Sequence, residues 1–155
     1  MSFRISGLDP APFRHLYGLP EEDLARLNVR RQIVDSSPGF PDRVEMRDVE
    51  PGQTVLLLNY VHQPADTPYK ASHAIFVREG AETRYEAVDE IPDVFRTRMI
   101  SLRAFDETGE MVDAGLAKGD EIEPQIARLL ADPRVSYLQA HYAARGCYAG
   151  RIERV

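Results

Sequence analysis

A polar segment that joins two apolar stretches carries the first candidate site. It covers residues 59–73 and connects predicted strands at 55–60 and 74–78. Polar side chains held at the ends of rigid strands are a common way of building a binding site, so we predict ligand contacts here. The candidate ligand-binding residues in this segment are Tyr60, His62, Asp66, Tyr69 and Ser72. The alternative is that its prolines stiffen a long surface connection and its histidines face solvent.

The second candidate site pairs Cys147, the one cysteine of the chain, with His141. If residues 144–146 form a three-residue hairpin loop with the final glycine in the left-handed conformation, His141 pairs with Ala149. His141 and Cys147 are then diagonal neighbours on one face, with Cβ atoms roughly 7 Å apart. The opposite, core-facing side would carry Leu138, Ala140, Tyr142, Tyr148 and Ile152. A two-residue loop would instead place the cysteine and the histidine on opposite faces.

A thiol beside an imidazole and arginines is the arrangement of a nucleophilic cysteine, used in thiol chemistry or acyl transfer. The predicted catalytic residues are Cys147, His141 and His73, with either histidine as the general base. Arg145 and Tyr148, from the same turn, join the predicted ligand-binding set. A single cysteine in a small domain is also commonly a packed apolar residue, so the sequence leaves open whether this protein is an enzyme.

The histidines form no local metal motif. His15, His62, His73 and His141 show none of the HxH, HExxH or HxxxH spacings that bring ligands together. A metal site would therefore depend on long-range folding, and we predict none. The sequence also lacks a glycine-rich phosphate loop and a GxSxG motif, so we predict no cofactor.

Length and composition indicate one domain, residues 1–155, with 43% hydrophobic and 28% charged residues. A formal charge of −6 argues against nucleic acid as a partner. The longest aliphatic run, residues 55–58, is too short to cross a bilayer, and the first residues lack the pattern of a signal peptide. We therefore expect a cytoplasmic protein with no membrane partner. Nothing in the sequence indicates a homo-oligomer.

Alternating patterns and turn signals predict mostly short strands. Strands are predicted at 3–6, 29–34, 44–47, 55–60 and 74–78, with a hairpin at 99–105 and 110–114. Residues 135–143 also fit a helix capped at Gly146, but we prefer a strand there.

Two amphipathic helices are predicted. The first begins at Pro20 and ends at Asn28, with Leu24 and Leu27 facing inward. The second carries one apolar stripe made of Ile122, Ile126, Leu129 and Leu130. Because short strands outnumber helices, the predicted fold is α+β, a largely antiparallel sheet with two or three short helices packed on it.

Short segments spread over most of the chain form a recognisable pattern. They are residues 38–41 (PGFP), 55–58 (VLLL), 68–72, 75–77 (IFV), 103–109 and 146–148 (GCY). In these segments the chain resembles the bacterial family filed as domain of unknown function 1203. The resemblance implies a bacterial source and a stand-alone domain of this length. It brings no catalytic residues, because the family has no assigned activity.

Two functions from different classes follow from these residues. The preferred one is a binding domain for a small polar or anionic ligand, because arginine and tyrosine favour charge-assisted hydrogen bonds. The other is a cysteine- or histidine-dependent enzyme that uses Cys147 with His141 or His73. The distance between thiol and imidazole discriminates between them, since an enzyme needs both in one cleft. A partner-binding module that pairs through a sheet edge is a third alternative.

Overall fold

The computed structural model describes residues 1–155 and contains nine strands. The strands are β1 (Phe3–Ser6), β2 (Arg30–Ile33), β3 (Thr54–Gln63), β4 (Ala71–Arg78), β5 (Glu86–Val88), β6 (Ile100–Phe105), β7 (Met111–Ala117), β8 (Tyr137–Tyr142) and β9 (Tyr148–Arg154). The α-helices are α1 (Glu21–Arg26), α2 (Asp93–Arg96) and α3 (Ile122–Leu130). None of them has the length and apolar character needed to cross a membrane.

The strands form two sheets, and every strand pair within them is antiparallel. The larger sheet has six strands in the order β5-β1-β9-β8-β6-β7, and the smaller has three in the order β2-β3-β4. The predicted α+β class with largely antiparallel sheets is confirmed. A core of 20 buried residues joins the larger sheet to α2 and α3. A second core of 12 buried residues joins the smaller sheet to α1 and includes Tyr148 of the larger sheet.

The helices bury the faces that their sequences predict, with one exception. All four residues of the α3 stripe are buried. In α1, acidic residues occupy the first turn, where they interact favourably with the helix dipole, and Leu24 is fully buried. Leu27, predicted to face inward, is 52% exposed. The helix ends at Arg26, so Leu27 lies beyond the turn that packs on the sheet.

Residues 44–47, predicted as a strand, form no strand. Met46 has a positive φ of 54°, which interrupts extended structure. The carbonyl of Val44 accepts a hydrogen bond from the Tyr85 N–H at 2.8 Å instead of pairing in a ladder. The Val44 carbonyl also approaches Gly7 closely. Only glycine permits this, because a Cβ at position 7 would lie 2.3 Å from the Val44 oxygen. The segment therefore packs against the end of β1.

The polar segment at 59–73 contains a shorter loop than its sequence suggests. β3 continues to Gln63 and β4 begins at Ala71, which leaves only residues 64–70 as the connection. A register shift between Val61 and Gln63 accommodates one extra residue, His62. Both histidines consequently lie on strands: His62 is the bulged residue of β3, and His73 pairs with Tyr60 in the ladder.

A semi-buried ion pair ties the smaller sheet together. Arg31 of β2 donates two hydrogen bonds to the Glu79 carboxylate, at 2.8 and 2.7 Å. Glu79 also accepts from the Gly18 N–H and from the Thr54 hydroxyl. The Arg31 hydrogen bond, followed by these further contacts, lowers the pKa of Glu79 to about 2.

Replacing Glu79 is expected to remove an acid-sensitive contribution to stability. A group whose pKa is lowered by folding stabilises the protein above its unfolded pKa and stops doing so as the pH falls towards the folded value. We expect Glu79→Gln to lower the free energy of unfolding by about 2 kcal/mol at pH 7, and by progressively less between pH 4.5 and pH 2. Urea unfolding across this range measures the difference. Glu82→Gln, at an exposed ion pair with Arg14, is the control. A Glu79→Gln effect no larger than the control's would contradict the prediction.

Candidate functional site

Two histidines lie at the end of the smaller sheet. Along β3 the alternation that points Leu58 into the core carries on through Tyr60 to His62, and along β4 it carries on from Ile75 to His73. The His62 and His73 rings are stacked, with centroids 4.8 Å apart and planes inclined by 9°. The smaller sheet thus presents a pair of parallel imidazoles to the larger one.

The larger sheet supplies a third histidine to the same place. His141 of β8 is fully buried, and its ring lies edge-on to His62 with centroids 4.8 Å apart. Tyr148 of β9 stacks on the other side of His62 at 5.5 Å. We call His62, His73 and His141 the histidine cluster.

The predicted register of this hairpin holds at Leu138, Gln139 and Ala140, and it is wrong by one residue from His141 to the turn. His141 pairs with Tyr148 and not with Ala149, because a bulge follows the Ala140–Gly150 pair. The bulge turns Tyr148 to the face that carries His141, whereas the sequence placed it on the opposite, core-facing side. Leu138, Ala140 and Ile152 do face the larger core, as predicted.

A buried glutamine holds the histidine cluster in position. The Gln139 Oε1 atom lies 2.8 Å from His62 Nδ1 and 3.0 Å from His141 Nε2. Its amide nitrogen donates to the His62 carbonyl at 2.8 Å. His141 Nδ1 lies 2.9 Å from the Gly146 carbonyl oxygen, and His62 Nε2 lies 2.8 Å from His73 Nδ1. Every member of the histidine cluster is therefore oriented by at least one hydrogen bond.

Burial keeps these imidazoles neutral. It lowers the pKa of His62 to about 4 and that of His141 to about 3, and it lowers the pKa of half-buried His73 as well. The positive charge of Arg103 contributes to the lowering at each histidine. A neutral imidazole offers a lone pair to a proton, a hydrogen-bond donor or a metal ion.

Arg103 is a cation without an acidic partner. Arg103 of β6 lies opposite Gln139 of β8 in the ladder. Its side chain donates a hydrogen bond to the Ser101 hydroxyl at 3.4 Å. It makes no ion pair, and burial lowers its pKa. Positive charge without a carboxylate next to the histidine cluster favours an anion there.

The histidine cluster is the kind of long-range arrangement on which, from the sequence, a metal site would have to depend. One nitrogen from each of His62, His73 and His141 can be chosen so that all three lie within 4.8 Å of one another. Local spacing could not reveal this set, since its members come from β3, β4 and β8. The fourth histidine, His15, is exposed and lies outside the cluster.

The thiol of Cys147 contacts an arginine. The Arg43 guanidinium donates to Cys147 Sγ at 3.1 Å, and the thiol makes no hydrogen bond with a histidine. Cys147 packs against the core on the α3 side of the larger sheet, with Tyr142. The predicted Cys147–His141 pair on one face is therefore not formed, because the bulge in β9 changes the register between them.

A cleft of about 890 Å³ opens between β4 and the turn that joins β8 to β9. Its lining includes His73 and Cys147, which makes it continuous with both candidate sites. Three guanidinium groups, those of Arg43, Arg98 and Arg145, also line it, and no aspartate or glutamate is among its 16 lining residues. The apolar part of the lining includes Phe40, Leu57, Phe76 and Met99.

The three arginines differ in the hydrogen bonds and ion pairs that they make within the protein. Arg43 is 1% exposed and donates to the carbonyls of Tyr148 and Pro41 as well as to the thiol. Arg98 forms a bidentate pair with Asp48. Arg145 is exposed and makes no side-chain hydrogen bond or ion pair, so its guanidinium is free to bind a ligand.

The structure separates the remaining predicted ligand-binding residues from the cleft. Asp66, Tyr69 and Ser72 are exposed, and none of them lines the cleft. Tyr60 packs between Phe13 and Tyr148, with ring centroids 6.3 and 5.8 Å away. Of the predicted site residues, the cleft therefore includes His73, Arg145 and Cys147.

Sequence reasoning missed Gln139, Arg43, Arg98 and Arg103 as site residues. Gln139 could have been suspected from its position two residues before His141 in a predicted strand, which places both side chains on one face. Arg43 gave no such signal, because it lies before the predicted strand at 44–47 and in no recognised motif. Its role depends on a contact with Cys147, 104 positions along the chain.

Comparison with known proteins agrees with the resemblance seen in the sequence. A family model described as "Protein of unknown function (DUF1203)" matches residues 39–154, which include β3 to β9 and therefore the histidine cluster and most of the cleft. No curated protein and no solved structure gives a significant match.

Proposed function

Because this chain belongs to the DUF1203 family of proteins of unknown function, its membership brings no activity with it, and we propose from geometry that it binds a small organic anion. The binding site is the cleft between β4 and the β8–β9 turn. The observation that carries the proposal is the composition of the lining: three arginines and a histidine with no carboxylate.

The charge of the cleft contrasts with that of the whole protein. The chain carries 25 acidic and 19 basic residues, yet the cleft concentrates only basic ones. A concave surface of one charge sign focuses the electric field and raises the local concentration of ligands of the opposite sign. Arg145, which has no partner, supplies the planar donors that bind a carboxylate or phosphate in a bidentate manner.

The rest of the lining indicates the other part of the ligand. Phe40 and Phe76 lie with ring centroids 5.2 Å apart, and Leu57 and Met99 add aliphatic surface. The cleft volume falls in the range of sites for small organic molecules. We infer a ligand with one anionic group for the arginines and an apolar body for this aromatic wall.

Ligand binding should depend on Arg145. A thermal-shift screen of metabolites is expected to yield organic anions that raise the melting temperature, because a ligand that binds only the folded state stabilises it. Arg145→Ala should weaken the affinity for such a ligand by about 10- to 100-fold, the value of a charge-assisted hydrogen bond. Isothermal titration calorimetry measures this change.

Two controls separate charge recognition from general effects. Arg134→Ala removes an exposed arginine that pairs with Asp132, away from the cleft, and should leave the affinity unchanged. The neutral amide analogue of each ligand should bind more weakly to the unmodified protein. Ligands that bind equally well as acid and amide, or that do not respond to Arg145→Ala, would argue against anion binding in this cleft.

A further inference from the structure

In the histidine cluster, His141 cannot form both of its hydrogen bonds while its imidazole is neutral. His141 Nδ1 faces the Gly146 carbonyl oxygen at 2.9 Å, and His141 Nε2 faces Gln139 Oε1 at 3.0 Å. Both oxygens only accept hydrogen bonds, whereas a neutral imidazole has a single N–H. One of the two contacts therefore brings two lone pairs together.

Turning the Gln139 amide around does not remove the conflict. Its nitrogen would then face both imidazoles, but its oxygen would face the His62 carbonyl oxygen, now 2.8 Å from the amide nitrogen. The present orientation also provides His62 Nδ1 with an acceptor at 2.8 Å. A metal ion bound to His141 Nε2 would use the lone pair that otherwise faces Gln139 Oε1.

We propose that His62, His73 and His141 bind one divalent transition-metal ion of the zinc type. Three imidazole nitrogens, buried between two sheets and within 4.8 Å of one another, are a ligand set that zinc uses. The site contains no carboxylate and no thiolate, which argues against calcium or magnesium and favours a borderline-soft ion.

The hydrogen bonds around the histidine cluster match those that orient metal ligands. A ligating histidine commonly donates its other ring N–H to a carbonyl or carboxylate oxygen. His141 Nδ1 has the Gly146 carbonyl for this purpose, and His62 Nδ1 has Gln139 Oε1. These two contacts leave Nε2 of each ring with a lone pair for the ion.

Of the three ligands, His73 is the one whose ring must shift when an ion binds. Its Nδ1 lies 2.8 Å from His62 Nε2, a hydrogen-bonding distance. Two nitrogens on one tetrahedral zinc ion, each about 2.0–2.1 Å from it, lie about 3.3 Å apart. His73 is half-buried at the cleft, so a small shift of its ring can open this distance without disturbing the core.

Three neutral ligands leave a fourth coordination position open, as in catalytic zinc sites. His73 lines the cleft, so the proposed metal site borders it. Arg103 makes no ion pair and lies opposite Gln139 in the β6–β8 ladder, so its charge disfavours a bare cation here and favours one that carries an anionic group. The metal site extends beyond the proposed anion binding and rests on different residues except for His73.

Metal binding is tested with the full chain after removal of metals by a chelator. Zinc is titrated in competition with a chromophoric chelator, and cobalt(II) is added separately as a spectroscopic probe of coordination. We expect one equivalent of either ion to bind, with the intense visible absorption of four-coordinate cobalt. No organic ligand is present, so this result is independent of anion binding.

Variants assign the ion to the histidine cluster. His73→Asn should weaken zinc binding by more than about 100-fold, since even an outer partner of a ligand contributes 10- to 100-fold. His73 is half-buried, so this variant should fold, which circular dichroism verifies. Gln139→Ala, which removes the orienting partner of His62, should weaken binding by about 10- to 100-fold while leaving one equivalent bound.

Two matched controls complete the experiment. His15→Asn removes the exposed histidine outside the cluster, and Cys147→Ser removes the only thiol. Both should bind zinc as the unmodified protein does. Absence of a saturable one-to-one site, unchanged affinity in His73→Asn, or loss of binding in either control would overturn the proposal.

Discussion

Arg43→Ala is expected to lower the free energy of unfolding by about 3–5 kcal/mol, because it removes a donor from two buried carbonyls and opens a cavity. The guanidinium is 1% exposed and donates to the carbonyls of Tyr148 and Pro41 and to the Cys147 sulfur. Its carbon atom also lies 5.0 Å from the centroid of the Tyr142 ring. One side chain therefore joins the segment before β3 to β9.

Chemical denaturation measures the effect of Arg43→Ala, with the slope of the transition checked for two-state unfolding. Arg26→Ala is a matched control, because Arg26 is 73% exposed at its side chain and pairs only with Asp23. Its effect should stay below about 1 kcal/mol, as is usual for exposed ion pairs. A loss of similar size in both variants would show that Arg43 is not a structural anchor of the cleft.

The electrostatic potential of the cleft can be measured without knowing its ligand. Cys147 is the only thiol and lines the cleft, so alkylation reports on that position alone. Iodoacetate and iodoacetamide transfer nearly the same group to sulfur and release iodide, but only iodoacetate is anionic. We expect the ratio of their rate constants at Cys147 to exceed the ratio at a free cysteine model by about 10-fold or more, because arginines attract the anion.

The ratio of the two rate constants depends on the charge of the reagent and not on the ionised fraction of the thiol. Both reagents attack the same thiolate, so the fraction of ionised thiol cancels and only the effect of reagent charge remains. Arg145→Glu should bring the ratio down to that of the model thiol or below, and Arg134→Glu should not change it. Raising the salt concentration to 1 M should also reduce the ratio, since exposed charges are then screened within about 3 Å. A ratio equal to that of the model thiol in the unmodified protein would contradict an anion-attracting cleft.

The anion cleft and the histidine cluster share one residue, His73. Its ring stacks on His62 on one side and lines the cleft on the other. An anion in the cleft would thus lie next to the proposed metal site. The two measurements on these sites nevertheless stay separate, because the zinc titration uses no organic ligand and the alkylation experiment uses no metal.

The local pattern of the sequence was sufficient for most of the secondary structure. Alternation in residues 3–6 predicted strand β1, the apolar runs at 55–60 and 74–78 predicted β3 and β4, and the stripe at 122–130 predicted α3. These predictions hold because side-chain periods of 2 and 3.6 follow directly from backbone geometry. The same local logic failed at 44–47, where the buried segment is held by contacts with Gly7 and Tyr85.

The sequence by itself determined the α+β class, the prominence of the histidines and Arg145, and the continuation of the apolar strands β3 and β4 into polar residues. Only the tertiary structure decided which of these residues meet. Burial of apolar faces brings β3 and β4 against β8, which assembles the histidine cluster, and a single bulge in β9 turns Tyr148 towards it and leaves Cys147 with Arg43. The physical reason is that alternation fixes the direction of a side chain relative to its own strand, whereas partners depend on the register and packing of strands far apart in sequence.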